Sequence, residues 1–335
     1  MALLSNNALL TKVRLMYAKR LRSRDYEELF SCSDVNQISQ ILKSMKLYSS
    51  FIMNLNEGDV HRGVLESLLR GELFNEMAAL AKYDLTLGEK LFEYVMVRME
   101  VASLLKFLVF FMSGNAHKYV CCFPGFFEKR SKIDFKSFKN VSDYQSFLEL
   151  IKSSAYYKMF SDGKGENLDM NKIEISLYSY LINTALNLKI SRKFSIEIKK
   201  FYNSYIDLVN LVRIIRLRKF HNVRPNCVRL YFFDFGNIKT KELIDIYEDL
   251  NLDRVCKKIS SIFKFKFSED CDFDKIPKLM RYKWAHRKIF YSSSSPMAMM
   301  AYMFLKETEV SNIVKIIEGI RYKLPRSEFE SMIIK

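Results

Sequence analysis

One nine-residue helical pattern occurs three times in this chain, and that repetition limits the possible folds more than any other feature. The copies are Glu100-Val101-Ala102-Ser103-Leu104-Leu105-Lys106-Phe107-Leu108, then Asp207-Leu208-Val209-Asn210-Leu211-Val212-Arg213-Ile214-Ile215, then Glu309-Val310-Ser311-Asn312-Ile313-Val314-Lys315-Ile316-Ile317. They begin 107 and 102 residues apart. Each reads acid, aliphatic, any residue, Ser or Asn, two aliphatics, Lys or Arg, apolar, aliphatic. In the third copy Val310, Ile313, Val314 and Ile317 fall at i, i+3, i+4 and i+7, an apolar stripe at helical period. Amphipathicity alone accounts for the apolar positions. It does not account for the matched acid, Ser/Asn and base.

A second, shorter segment also recurs. Arg22-Ser23-Arg24-Asp25-Tyr26, Arg130-Ser131-Lys132-Ile133-Asp134-Phe135 and Lys239-Thr240-Lys241-Glu242-Leu243 share the order base, Ser/Thr cap, base, acid, apolar, the second with one insertion. The sequence therefore predicts an all-α chain of three units of about 105 residues, with approximate bounds 1–112, 113–222 and 223–335. Each unit has a face that it cannot bury alone, so the expected arrangement is a ring or funnel with pseudo-threefold symmetry. Only 10 glycines and 5 prolines punctuate the 335 residues, too few for the tight turns of an all-β or doubly wound fold.

Read in order, the chain predicts long helices over 64–112, with candidate breaks at Gly71 and near Asp84 to Gly88, over 172–220 and over 278–322, with shorter helices and connections between them. Ser23 is the expected N-cap of an early short helix. Pro296 is expected in the first turn of the last long one, behind caps offered by Ser292 to Ser295. That helix should stop near Gly319 to Tyr322, before Pro325.

The catalytic inventory is empty. His61, His117, His221 and His286 are isolated, without HExxH or paired Cys/His spacing. The acidic Glu269, Asp270, Asp272 and Asp274 lack the glycine and distal glutamate of a calcium loop and read as a solvated loop. Gly163-Lys164-Gly165 lacks the spacing of a phosphate loop, and no nucleophile elbow is present. No cofactor or metal is expected.

The six cysteines form no CxxC pair, which suits buried thiols in a reducing compartment. Met1 to Leu10 reads as no secretory signal. The most apolar window, 101–112, contains Lys106 and is shorter than the roughly twenty residues of a membrane span. A net charge of +16 points to acidic partners or is compositional drift. Arg213, Arg216, Arg218, Lys219 and Arg224 form the best basic run, read either as a phosphate contact or as a solvated helix end.

The repeated acid (Glu100, Asp207, Glu309) and Ser/Asn (Ser103, Asn210, Asn312) share one helix face. They are candidate partner contacts around a central opening, or polar residues that fix helix packing.

Three stretches resemble the C/AC39 family of V/A-type rotary ATPase components, which has bacterial, archaeal and eukaryotic members. They are Val13-Arg14-Leu15-Met16-Tyr17 through Asp25-Tyr26-Glu27-Glu28-Leu29, then 207–220, then Met300-Ala301-Tyr302 with Glu307 to Ile313, Gly319, Leu324-Pro325 and Glu328. The resemblance implies a funnel of three helical subdomains and a non-catalytic role. Members of this family seat the central rotor shaft on the membrane proteolipid ring, coupling ATP-driven rotation to H⁺ or Na⁺ transport. The implied location is peripheral, on the cytoplasmic face, with no small-molecule substrate. A rival reading, from the charge, is an all-helical nucleic-acid-binding protein.

Overall fold

A computed structural model describes residues 2–45, 48–52, 62–83, 88–121, 123–161, 169–221, 223–249, 251–263 and 272–335. Every regular element among them is helical. Two compact units emerge, one of residues 1–153 and 284–335, the other of residues 154–283.

The first unit opens with α1 (Ala2–Ala18), α2 (Ser23–Phe30), α3 (Val35–Ser44), α4 (Ser49–Ile52), α5 (Arg62–Ala81), α6 (Gly88–Met112), α7 (Gly125–Arg130) and α8 (Tyr144–Ile151). The second holds α9 (Tyr157–Ser161), α10 (Met170–Leu186), α11 (Arg192–Arg216), α12 (Pro225–Val228), α13 (Thr240–Asp249) and α14 (Leu252–Phe263). Helix α15 (Ile276–Tyr291) returns the chain to the first unit, which ends with α16 (Ser295–Arg321) and α17 (Arg326–Met332). Short 3₁₀ segments occupy Ala116–Lys118, Phe135–Asn140, Arg229–Tyr231 and Phe273–Lys275, and a π-helical turn, Leu217–His221, continues α11.

Helix α16 is the spine of the first unit. From Ser295 to Ile317 nearly every residue is buried, on all sides of the helix. Such a helix must be enclosed; α1 and α5 flank it, and α3 and α17 pack beside them. Its start matches the expectation in part. Pro296 sits in the first turn, but the Ser294 side chain makes no cap bond. Instead the Asn6 Oδ1 accepts the Ser295 N–H at 2.9 Å, a cap supplied from α1. Ser23 likewise begins α2 rather than capping it: Arg22 is the N-cap residue, and Asp25 accepts its N–H at 2.7 Å.

The predicted long runs are each two helices. A break falls between Ala81 and Gly88, whereas Gly71 lies inside α5. The run over 172–220 divides where Ser191 caps α11 by accepting the Phe194 N–H, and the run over 278–322 divides at Ser292 to Ser294. The loop at 162–165 and the acidic residues Glu269 and Asp270 lie outside the described residues.

In the second unit α11 plays the spine's part. Leu208, Leu211, Ile214 and Ile215 join Leu243, Ile246 and Tyr247 of α13 and Val255 and Ile259 of α14 in one apolar cluster. Among the described cysteines, Cys32 and Cys256 are buried, Cys121 is half-buried and Cys227 is exposed; all four are free thiols.

Candidate functional site

The three repeated polar positions form one stripe on each of α6, α11 and α16; those on α6 and α11 grip the chain segment that follows the helix, and that on α16 grips such a segment together with Leu21. The clearest case is α11. Its three polar residues recur at i, i+3 and i+6, close enough to one face to meet a single extended segment. Arg213 donates to the Tyr231 carbonyl at 3.1 Å. Asn210 clasps one residue from both sides: its amide donates to the Phe233 carbonyl at 3.1 Å, and its Oδ1 accepts the Phe233 N–H at 3.0 Å. Asp207 accepts the N–H groups of Asn237 at 2.9 Å and Ile238 at 3.0 Å, and the Asn237 side-chain amide at 2.9 Å. Buried backbone polar groups need partners, and here the helix supplies them. Gly236 is required by this approach: a Cβ there would collide with the Asp207 Oδ1, at a φ of +140°.

Helix α16 repeats the arrangement. Lys315 donates to the Met332 carbonyl at 2.6 Å. Asn312 donates to the Ile334 carbonyl at 2.7 Å and accepts the Ile334 N–H at 3.0 Å, the same two-sided clasp two residues further on. Glu309 accepts the Leu21 N–H at 2.7 Å. Leu21 lies just ahead of α2, as Ile238 lies just ahead of α13. The stripe on α16 is therefore filled by two separate pieces of chain, where that on α11 is filled by one.

Helix α6 carries the weakest version. Lys106 donates to the Val120 carbonyl at 3.3 Å, and Glu100 accepts the Ser131 hydroxyl at 2.7 Å, while Ser103 lies beside the Tyr119 hydroxyl without a hydrogen bond of ordinary geometry. Ser131 is the Ser of the second short segment. Glu100 and Ser103 are not fully buried, while Asp207, Asn210, Glu309 and Asn312 are. The four buried side chains direct their polar atoms at their own chain. This is the geometry of polar residues that fix packing.

The stripe on α16 contains partners that sequence spacing did not reveal. Lys306 is buried and sits 2.9 Å from Glu309. Its ammonium also donates to the Tyr48 hydroxyl at 3.1 Å, and Tyr48 donates in turn to Glu309. Burial, reinforced by the Glu309 carboxylate, holds the Tyr48 hydroxyl well above the ordinary tyrosine range. Nearby, Tyr302 donates to Glu76 at 2.7 Å. Burial raises Glu76, against the opposing pull of Lys306. Two glycines mark close approaches to the spine helices elsewhere: a side chain at Gly236 would meet Asp207, and one at Gly319 would meet Phe329.

The basic run on α11 is largely engaged within its own unit. Arg213 pairs with Glu174 at 3.2 Å and Arg216 with Asp274 at 3.3 Å, while the Arg218 guanidinium lies over the Tyr247 ring. Among the described residues, no cluster of three or more His, Cys, Asp or Glu gathers to hold a metal ion. No helix among them is long and apolar enough to cross a membrane.

A family profile described as the ATP synthase (C/AC39) subunit matches residues 9–332. The chain belongs to the C/AC39 family of V-type ATP synthase subunits. Nearly the whole length is matched, so all three stripes fall within the C/AC39 match. Members are accessory subunits of a membrane-bound rotary ATPase complex, and this chain's partners lie within that complex. No curated protein matches the chain.

Proposed function

We propose that this C/AC39 protein is the non-catalytic socket of a V/A-type ATPase, seating the central rotor shaft on the proteolipid ring. It couples rotation to transport of H⁺ or Na⁺ from the cytoplasmic face. The observation that carries this reading is the family match over residues 9–332. The helical stripes support it physically. A torque-bearing socket needs a wall that does not creep, and buried, fully paired polar contacts impose one geometry on packed helices.

The six stripe residues Glu100, Ser103, Asp207, Asn210, Glu309 and Asn312 serve partner binding from behind the surface. With Lys106, Arg213 and Lys315 they fix the segments at 120–131, 231–238 and 332–334 and the chain at Leu21, and so shape the faces that meet the shaft and ring. The three expected units, 1–112, 113–222 and 223–335, form the pseudo-threefold funnel of this proposal. Each stripe bonds the lead-in to a short helical segment, and the third bonds that of the first, at Leu21.

Affinity capture from detergent-solubilised membranes tests the proposal. The tagged chain is expected to bring down the shaft subunits and the proteolipid ring. Salt-sensitive binding to duplex DNA with no such subunits in the eluate would sink it and favour the nucleic-acid reading.

A further inference from the structure

The stripe on α16 differs from that on α11 in what fills it. On α11 one uninterrupted run, 231–238, meets base, Asn and acid in turn. On α16 the base and Asn hold Met332 and Ile334, while the acid holds Leu21, roughly three hundred residues away in sequence. Residues 326–335, helical over α17 and extended from Ile333, thus form a strap whose hydrogen bonds to α16 are separate from the one that holds Leu21.

The strap sits as a peptide sits in a groove. Lys315 and Asn312 donate to its Met332 and Ile334 carbonyls, and the Ile334 N–H donates to Asn312, so all three hydrogen bonds meet only its backbone. Such contacts supply affinity without regard to side-chain identity, and pockets for particular side chains supply the selection. The main pocket lies over Gly319: a Cβ at Gly319 would come within 2.6 Å of the Phe329 ring atoms, so the missing side chain is what admits the ring. Phe329 is buried there against Phe30 of α2, with ring centroids 5.7 Å apart. Ile333 is buried in the same cluster, and Ile334 is buried beside it. At the strap's other side Arg326 pairs with Glu27.

We infer that this stripe is an exchangeable peptide-binding groove. Residues 326–335 are its ligand in cis, and in trans it takes a peptide of the same pattern, helical at an aromatic and extended at two aliphatics four and five residues later. A tethered ligand competes at high effective concentration, so binding in trans is weak until the strap is weakened.

A labelled peptide of residues 324–335 tests this on the full chain. The Phe329→Ala variant should bind it at least tenfold more tightly than the unaltered chain, and adding Asn312→Leu should erase the gain. Equal binding by the variant and the unaltered chain, no binding by either, or binding that survives Asn312→Leu would overturn the inference. Hydrogen exchange of the unaltered chain keeps the test independent of the variants' folding. The Ile334 amide should exchange by local opening, with little dependence on added urea, while the Ile313 amide of α16 waits for global unfolding. Exchange of both amides only through global unfolding would also overturn it.

Discussion

Asn210 and Asn312 each satisfy a buried N–H and a buried C=O of one residue, Phe233 and Ile334. Replacing either by Leu keeps the volume and orphans both backbone groups. An unsatisfied buried group costs about 1–3 kcal/mol, so each variant should lose roughly 2–6 kcal/mol, read as a lower denaturation midpoint in urea. An unchanged midpoint, with loss of partner capture alone, would instead make these residues direct contacts. A second residue-scale prediction concerns Lys323, at a φ of 52°. There the Lys323 N–H bonds the Ile320 carbonyl and the Leu324 N–H bonds the Gly319 carbonyl, a Schellman ending of α16. Lysine is strained in a left-handed backbone that glycine adopts freely, so Lys323→Gly should stabilise the protein by roughly 0.5–1 kcal/mol. Thermal unfolding measures it; a lower Tm would contradict the reading.

At the scale of elements, α5 and α16 flank a half-buried carboxyl, Glu76, beside Tyr302 and within the influence of Lys306, Glu72 and Glu309. Burial raises its pKa above the usual glutamate value. A group raised on folding favours the native state most below its unfolded pKa, and that contribution is lost as pH rises through its folded pKa. Glu76→Gln removes this loss and can still accept the Tyr302 hydroxyl. The variant's stability relative to the unaltered chain should therefore increase as pH rises from about 4, near the unfolded glutamate value, to neutrality. Urea titrations at the two pH values check it, and a difference that shrinks with pH would refute it.

The helices themselves were legible because the stripe Val310, Ile313, Val314, Ile317 has one period and few breakers interrupt it. Pro296 behind Ser292 to Ser295 marked where the last helix starts, but the break at Ser191 was less legible, because a polar residue inside a helical pattern looks the same whether it faces water or starts a new helix. The acid, Asn and base of each stripe were visible as a recurring pattern, but what they hold was not. Tyr48 and Leu21 reach Glu309 from more than 250 residues away in the chain, and spacing carries no trace of such a contact.

Across the whole molecule, spine helices whose polar stripes fix the segments beside them lie within a family match that takes in nearly the full chain. Both suit the proposed role of a passive coupling element. Such an element is dispensable for ATP chemistry and indispensable for turning it into transport. The direct measurement is cation uptake per ATP hydrolysed in inside-out membrane vesicles, with the chain depleted and then restored. The socket role predicts that depletion drops this ratio to background and that adding back the purified chain recovers it. A ratio that is unchanged by depletion would contradict that role.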